Sequence, residues 1–182
     1  MSVLRGTCHL ASCALSESDT GLFMASDGCS AHATKCHFVR NMVGADIGPD
    51  SPAGQRSTLT AVSCTSSGNR TARYYAISGV IELTECVSDE DGTCCVVKEG
   101  AMLRATRVAV MRSRESGYTV KSGAHAVLKG CSAKDCGIDG VDCYGAGTKA
   151  HVEGCTVQSN GGCGVLAVYL SLIHISEPTR PY

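Results

Sequence analysis

The feature that most constrains the fold is an internal repeat. Residues 126–141 and 150–165 match when Cys131 is aligned on Cys155. The same phase continues towards the N-terminus at intervals of roughly 20 to 28 residues. The anchors of the resulting seven repeats are Cys13, Cys36, Cys64, Cys86, Thr106, Cys131 and Cys155. A unit this short cannot bury its own apolar face, so successive units must stack and share one core.

Apolar or small side chains lie three and five residues before each anchor. These pairs are Cys8 and Leu10, Ala31 and Ala33, Leu59 and Ala61, Ile81 and Leu83, Ala101 and Leu103, Ala126 and Leu128, and Ala150 and Val152. Alternation with a period of two predicts a strand with one buried face. The side chains between them are predicted to point to solvent, and they include His9, His32, Thr60, Glu82, Lys129, His151 and Glu153.

A corner, a second strand and a closing turn follow each anchor. Five residues after the anchor lie residues that bond their own backbone and tolerate left-handed conformations: Ser18, Asn41, Asn69, Asp91, Cys136 and Asn160. Glycine often opens the second strand, at Gly21, Gly44, Gly117, Gly140 and Gly164. Another glycine closes the coil, at Gly28, Gly79, Gly100, Gly123 and Gly147. Residues 48–57 lengthen one coil and are predicted to form a surface loop.

This pattern resembles the right-handed parallel β-helix of the pectate-lyase-like superfamily, whose members stack coils of this length with Asn at one corner. The resemblance covers residues 6–168 and implies an all-β solenoid of about seven coils. A leucine-rich repeat is the alternative, because its units are of similar length. That motif needs several leucines per unit and a helical segment, whereas Gly, β-branched residues and Cys dominate here and no window has a sustained helical period.

Composition and charge limit the classes of partner that the chain can bind. The formal net charge is -1 and no basic block occurs, so there is no electrostatic footprint for nucleic acid. No stretch approaches the roughly 18 apolar residues that a membrane helix needs, and the N-terminus shows no signal peptide. We therefore expect neither a nucleic acid nor a membrane partner. The missing signal peptide and the odd number of cysteines favour an intracellular location.

The thirteen cysteines could form disulfides, bind zinc or pack in the core as free thiols. Equivalent Cβ atoms on in-register parallel strands lie about 4.8 Å apart, which is beyond the roughly 3.5 to 4.5 Å of a relaxed disulfide. The anchors are therefore predicted to stack as thiols in the interior. One zinc candidate, formed by Cys29, His32, Cys36 and His37, has no second half, and the strand phase sends His32 outward and Cys36 inward.

The C-terminal segment differs from the repeats. Residues 170–180, with the sequence LSLIHISEPTR, resemble an in-frame translation of a transposase-type DNA sequencing adapter. We therefore predict one β-helix domain over residues 1–169, cut short at its C-terminal end, and a non-native tail over residues 170–182. His174, Glu177 and Arg180 are accordingly expected to carry no function.

The densest polar patch lies on two neighbouring coils near Lys134 and provides the candidate ligand-binding residues Asp135, Asp139, Asp142 and Glu153. On the coil before them lie Arg104, Arg107, Arg112 and Arg114. Carboxylate oxygens bind calcium and hydrogen-bond to sugars. We assign no catalytic residue and no resident metal, and we expect no cofactor, with calcium as the one candidate ion.

The resemblance implies activity on acidic polysaccharides. The polygalacturonase-type signatures, Asn-Thr-Asp, Asp-Asp, Gly-His-Gly and Arg-Ile-Lys, are absent from the sequence. The sequence therefore favours a non-catalytic binding or interaction scaffold whose ligand is a polysaccharide or a protein partner. The alternative is an enzyme acting on acidic polysaccharide as a lyase, a glycoside hydrolase or an epimerase.

Overall fold

The chain forms a stack of coils whose strands lie in three parallel sheets. The computed structural model describes residues 1–3, 5–24, 28–48, 56–168 and 172–176, and within them it contains strands and no helix. Sheet A contains β1 (Ser2–Val3), β4 (Thr20–Met24), β7 (Val43–Ile47), β10 (Ala72–Ala76), β13 (Thr93–Val97), β16 (Tyr118–Lys121), β19 (Val141–Tyr144) and β22 (Val165–Val168). Sheet B contains β2 (Thr7–Ala11), β5 (Ser30–Thr34), β8 (Thr58–Val62), β11 (Val80–Thr84), β14 (Met102–Thr106), β17 (His125–Lys129), β20 (Lys149–Glu153) and β23 (Leu172–Ser176). Sheet C contains β3 (Ala14–Ser16), β6 (His37–Val39), β9 (Thr65–Ser67), β12 (Val87–Asp89), β15 (Ala109–Met111), β18 (Ser132–Lys134) and β21 (Thr156–Gln158).

Each complete coil has one strand from sheet B, one from sheet C and one from sheet A, in that order. We number the coils 1 to 7 from the sheet B strand that begins them, so that coil 1 starts with β2 and coil 7 with β20. The prediction of a parallel β-solenoid of about seven coils is confirmed. The prediction of two strands per coil was incomplete, because a three-residue strand in sheet C follows each anchor.

The buried face of sheet B is the one that the alternation predicted. Ile81 is in register with Leu59 on one side and Leu103 on the other, and all three are fully buried. The anchor assigned to coil 5 was wrong, since Val108 rather than Thr106 occupies the anchor position and accepts the hydrogen bond from the Ser132 N–H. The error is two residues, and a shift of two leaves the same face of the strand buried.

The corner between sheets C and A carries a ladder of buried polar side chains. The Oδ1 of Asn69 accepts hydrogen bonds from the backbone N–H of Asn41 at 3.0 Å and from its Nδ2 at 3.1 Å. The Oδ1 of Asp91 accepts from the N–H of Asn69 at 2.8 Å, and the Nδ2 of Asn69 donates to the Phe38 carbonyl at 2.9 Å. The predicted corner is confirmed. The side chains bond the neighbouring coil, however, and the left-handed residue is the one before, such as Arg40 at φ 52°.

The corner between sheets B and C uses cysteine in the same way. Cys36 follows Lys35, which has φ 53°, and the Cys36 N–H donates to the Cys64 Sγ at 3.4 Å. Cys64 in turn donates its thiol proton to the Ala33 carbonyl at 3.3 Å. Cys155 accepts from the N–H of Cys131 at 3.3 Å. These stacked residues are thiols rather than disulfides, as the strand spacing predicted.

The glycines that open the sheet A strands have a steric cause. A Cβ on Gly21 would lie 2.6 Å from the carbonyl oxygen of Gly44, and a Cβ on Gly117 would lie 2.7 Å from that of Gly140. Successive coils therefore approach too closely at this position for an ordinary side chain. The glycines that close the coils meet a different need, because each has a positive φ, as in Gly79 at 83°.

The predicted non-native tail contains the last strand, β23, which pairs in parallel with β20 in sheet B. An unpaired sheet edge accepts any short alternating segment, whatever its origin. The assignment of residues 170–182 to a non-native tail stays a prediction. The predicted surface loop at 48–57 falls mostly on residues 49–55, which lie outside the described part of the chain. Among the described residues, no helix is long and apolar enough to cross a membrane.

We predict that Asn69→Ala lowers the free energy of unfolding by about 3 kcal/mol. The substitution leaves the buried N–H of Asn41 without an acceptor, and a buried donor without a partner costs roughly 1 to 3 kcal/mol. It also removes the Asn69 side-chain bonds. Urea unfolding followed by circular dichroism measures this loss.

Asn160→Ala is the matched control for this prediction. Asn160 accepts the Cys136 N–H at 2.9 Å, but it is only half-buried, so water can replace it. Asn160→Ala should therefore lower the free energy of unfolding clearly less than Asn69→Ala does. Equal losses for the two variants would contradict the structural role of burial in this ladder.

Candidate functional site

The outer face of sheet A carries the most varied set of side chains that could bind a ligand. Its first column, which we call the outer ladder, is in register from coil to coil and consists of Phe23, Asp46, Tyr75, Val96, Thr119, Asp142 and Leu166. Two residues further along the chain lies a second column, which includes Gly48, Lys98, Lys121 and Tyr144. Neighbouring strands are about 4.8 Å apart, so the outer ladder is a continuous row along the solenoid.

One cluster on this face surrounds Asp46. Asp46 lies between Phe23 on coil 1 and Tyr75 on coil 3. The Phe23 ring reaches over the end of the next strand, where its Cε2 and Cζ would lie 3.7 Å from a Cβ on Gly48. The ammonium group of Lys98 lies 5.3 Å from the centroid of the Tyr75 ring, within the range of a cation–π interaction. Two aromatic rings, a carboxylate and a lysine thus share a small area.

The Asp46 carboxyl group is poorly solvated and has few partners. Its Oδ1 is buried, and no hydrogen-bond donor among the described residues reaches it. Burial raises the pKa of Asp46 above its ordinary value, and the positive charge of Lys98 offsets part of this rise. Hydrogen bonding to Tyr75 raises the pKa of Lys98.

A second cluster lies on coils 5 and 6. Lys121 is in register with Tyr144, and its ammonium lies 5.6 Å from the centroid of that ring. Asp142 is half-buried on the outer ladder between Thr119 and Leu166. Burial and the nearby charge of Asp139 raise the pKa of Asp142, whereas Lys121 lowers it. The face thus repeats the combination of Tyr, Lys and Asp, with the rings in different positions.

The structure separates the four carboxylates predicted as a binding patch. Asp142 faces outward on sheet A, as predicted, and Asp135 is the left-handed residue of the preceding corner, with φ 55°. Asp139 is 5% exposed, and its Oδ1 accepts the Cys163 N–H of the next coil at 2.6 Å. Glu153 lies on sheet B, where it forms an ion pair with Lys129 at 2.9 Å. Glu153 therefore does not share a face with Asp142, and Asp139 is occupied by the backbone.

Three of the four arginines near this patch pair with acidic residues of coil 4, whereas Arg114 donates to the Asn69 carbonyl of coil 3 at 2.7 Å. Arg104 pairs with Glu82 at 2.9 Å and Arg107 with Glu85 at 2.8 Å. Arg112 pairs with Asp89, which lies on coil 4 like Glu82 and Glu85. Exposed pairs of this kind contribute about 0 to 1 kcal/mol each. These three ion pairs link acidic side chains of coil 4 to arginines of coil 5, and they are not part of a binding site.

The sequence analysis missed most of the sheet A face. The alternation in these strands predicts that Tyr74, Tyr75 and Tyr118 are partly buried and that the exposed faces lack an aromatic platform. Tyr74 and Tyr118 are fully buried in the core, whereas Tyr75 is outward and half-buried. Phe23 and Tyr144 are also half-buried on the outer face. Extending the outward phase to the second strand of each coil would have found all three rings, because Phe23 alternates with the buried pair Leu22 and Met24.

Two other groups of polar side chains, the zinc candidate and an open cleft, are weaker candidates for a binding site. The zinc candidate is split by its strand, as the phase indicated, with His32 exposed and Cys36 fully buried. In the described ranges no set of three or more His, Cys, Asp or Glu side chains is arranged to hold a metal ion. An open cleft of about 430 Å³ at the corner of coils 1 to 3 is lined by Glu17, Ser18, Asp19, Arg40, Met42 and Arg70. Its central groups, Glu17 and Arg40, already pair with each other.

Three stacked parallel sheets with side-chain ladders at the corners define the parallel β-helix class of proteins. The family described as "Right handed beta helix region" matches residues 5–178, and the chain belongs to this family. Among solved structures, the chain is similar to the catalytic unit of a thermostable GH87 alpha-1,3-glucanase from Streptomyces thermodiastaticus strain HF3-3. The identity is 10%, the TM-score is 0.48, and the match covers 94% of this chain and 49% of the glucanase. The chain thus spans about half the length of that catalytic unit. No curated protein matches the sequence.

The raised pKa of Asp46 predicts how a substitution changes stability with pH. A raised pKa means that the folded protein binds this proton more tightly than the unfolded chain does. The contribution of Asp46 to stability is therefore full below the ordinary carboxyl pKa and is lost as the pH rises through its folded pKa. We expect Asp46→Asn to raise Tm at neutral pH and to give a smaller gain in acid, as measured by thermal unfolding.

Glu153→Gln should behave in the opposite way. Hydrogen bonding to Lys129 lowers the pKa of Glu153, so its contribution is present above the ordinary pKa and is lost as the pH falls. This variant should lower Tm slightly at neutral pH. If Asp46→Asn lowered Tm at neutral pH, the proposed desolvation of Asp46 would be wrong.

Proposed function

We propose that this protein is a non-catalytic binding scaffold for a linear glycan, with the outer face of sheet A as its contact surface. The observation that carries the proposal is the interleaving of three half-exposed aromatic rings, Phe23, Tyr75 and Tyr144, with charged groups on one continuous face. Aromatic rings offer flat apolar surface for the C–H faces of sugar rings. Neighbouring carboxylates and ammonium groups offer hydrogen-bond partners for hydroxyls and fix the orientation of a ligand.

The geometry of the face suits an extended polymer. Tyr75 belongs to coil 3 and Tyr144 to coil 6, which places them three strand spacings apart, or about 14 Å along the solenoid. On the outer ladder the residues between them are Thr119, which is half-buried, and Val96, which is buried. Solenoids present long regular surfaces of this kind to repetitive ligands.

The alternative is an enzyme acting on acidic polysaccharide, and the raised pKa values of Asp46 and Asp142 are the observation that favours it. Glycoside hydrolysis needs two carboxyl groups about 5 to 9.5 Å apart. Asp46 and Asp142 are four strands apart in register, which corresponds to about 19 Å. They are too distant to act on one bond, and this spacing supports binding over hydrolysis by this pair.

We expect Tyr75→Ala to weaken glycan binding by about tenfold or more, since a stacked ring is worth about 0.5 to 1.5 kcal/mol beyond its area and tenfold corresponds to 1.4 kcal/mol. Isothermal titration against soluble neutral, uronate-containing and amino-sugar oligosaccharides measures the effect on every ligand that binds the wild-type protein.

Thr60→Ala is the control, because Thr60 lies on sheet B and faces outward there. It should bind as the wild type does. Binding that survives Tyr75→Ala but fails with Thr60→Ala would move the site to sheet B. If no oligosaccharide binds the wild-type protein, the proposal is wrong, and the alternative of a protein partner for this face replaces it.

A further inference from the structure

We infer that the cluster around Asp46 recognises an ammonium group, so that the glycan bound by this face carries unacetylated amino sugars. This inference rests on the proposed function and specifies its ligand. It starts from an imbalance of charge on the sheet A face. Asp46 is a carboxylate that is partly removed from water and is paired with no cation within ion-pair distance among the described residues.

The immediate neighbours of Asp46 have the chemistry that selects a cation. Phe23 and Tyr75 lie one strand spacing away on either side, about 4.8 Å each. The faces of aromatic rings attract cations, and the attraction strengthens when the cation is partly desolvated. A carboxylate between two rings therefore favours an organic cation over a neutral hydroxyl, and it disfavours a uronate because two carboxylates repel each other.

Lys98 does not fill this role itself. Its ammonium is held over the opposite neighbour, Tyr75, at 5.3 Å, and it approaches Glu99 at 3.8 Å. Its positive charge offsets only part of the effect of burial on Asp46. Among the described residues, Lys98 is the one cation whose charge lowers the pKa of Asp46. On the side towards Phe23, Gly48 has no side chain that could cover the ring.

The second cluster provides an internal comparison. Asp142 has Thr119 and Leu166 as its neighbours on the outer ladder, rather than two rings. It also lies within electrostatic range of both Asp139 and Lys121. The environment of Asp142 thus lacks the aromatic pair, and Asp142→Asn is a matched control for Asp46→Asn.

The test compares two oligosaccharides of equal length, one of glucosamine and one of N-acetylglucosamine, by isothermal titration in mildly acidic buffer where the amine is charged. We expect the wild-type protein to bind the glucosamine oligomer at least tenfold more tightly. Asp46→Asn should abolish this preference, whereas Asp142→Asn should retain it. Phe23→Leu, which keeps the apolar volume but removes the ring, should reduce the preference severalfold.

The outcomes separate this inference from the function on which it rests. Equal binding of the two oligomers by the wild-type protein, or a preference that persists in Asp46→Asn, overturns the ammonium site and leaves glycan binding in place. If no oligosaccharide of any class binds, both proposals fall. The circular dichroism spectrum of each variant confirms the fold, and Asp46→Asn is expected to be the more stable protein at neutral pH.

Discussion

The hydrogen bond on which the rest of the structure depends is the one that polar corner side chains, such as Asn69 and Cys64, accept from the backbone of the coil before them. At these left-handed corners the regular strand-to-strand bonding is interrupted, and the N–H of the next residue bonds to a side chain of the following coil. Asn69 and Asp91 satisfy these donors at one corner, and Cys64 and Cys155 do so at the other. Because an unpaired buried N–H is costly, the corner residues bind each coil to its neighbour and fix the register.

In coil 4 an aspartate replaces the asparagine of the ladder between sheets C and A, and this places a carboxylate in the core. Asp91 takes the position that Asn41 and Asn69 hold in other coils, and it is a fully buried carboxylate. Its oxygens accept bonds from Asn69 and from the hydroxyl groups of Ser66 and Ser88. A buried charge needs such partners.

A buried arginine lies close to this carboxylate. Arg73 is fully buried at a position where Gly44 and Gly117 open the equivalent strands. Its guanidinium carbon lies 4.5 Å from the centroid of the Tyr74 ring, its Nη1 donates to the Val87 carbonyl, and Asp91 is among its electrostatic partners. The two buried charges of opposite sign thus occupy neighbouring coils, and each offsets part of the cost of burying the other.

Much of the fold follows from the sequence because the buried face of sheet B repeats with a period of two over five residues in every coil. The strands of sheet C could not be predicted in this way. They are three residues long, and in Thr65–Ser67 the one inward side chain is the polar Ser66. The outward direction of Asp142 could be predicted from its strand. The role of Asp139 could not, because it depends on the Cys163 N–H of the next coil. The contact between Lys98 and Tyr75 likewise depends on which residues the coil stack brings side by side.

The central claim is that side chains from the following coil bond the amides at the corners. Native-state hydrogen exchange at single residues tests it most directly. The account predicts that the amide protons of Asn41 and Asn69, whose acceptors are side-chain oxygens, exchange as slowly as those in the middle of the sheet B strands. Exchange of these two amides at the rate of exposed turns, while the strands remain protected, would contradict it.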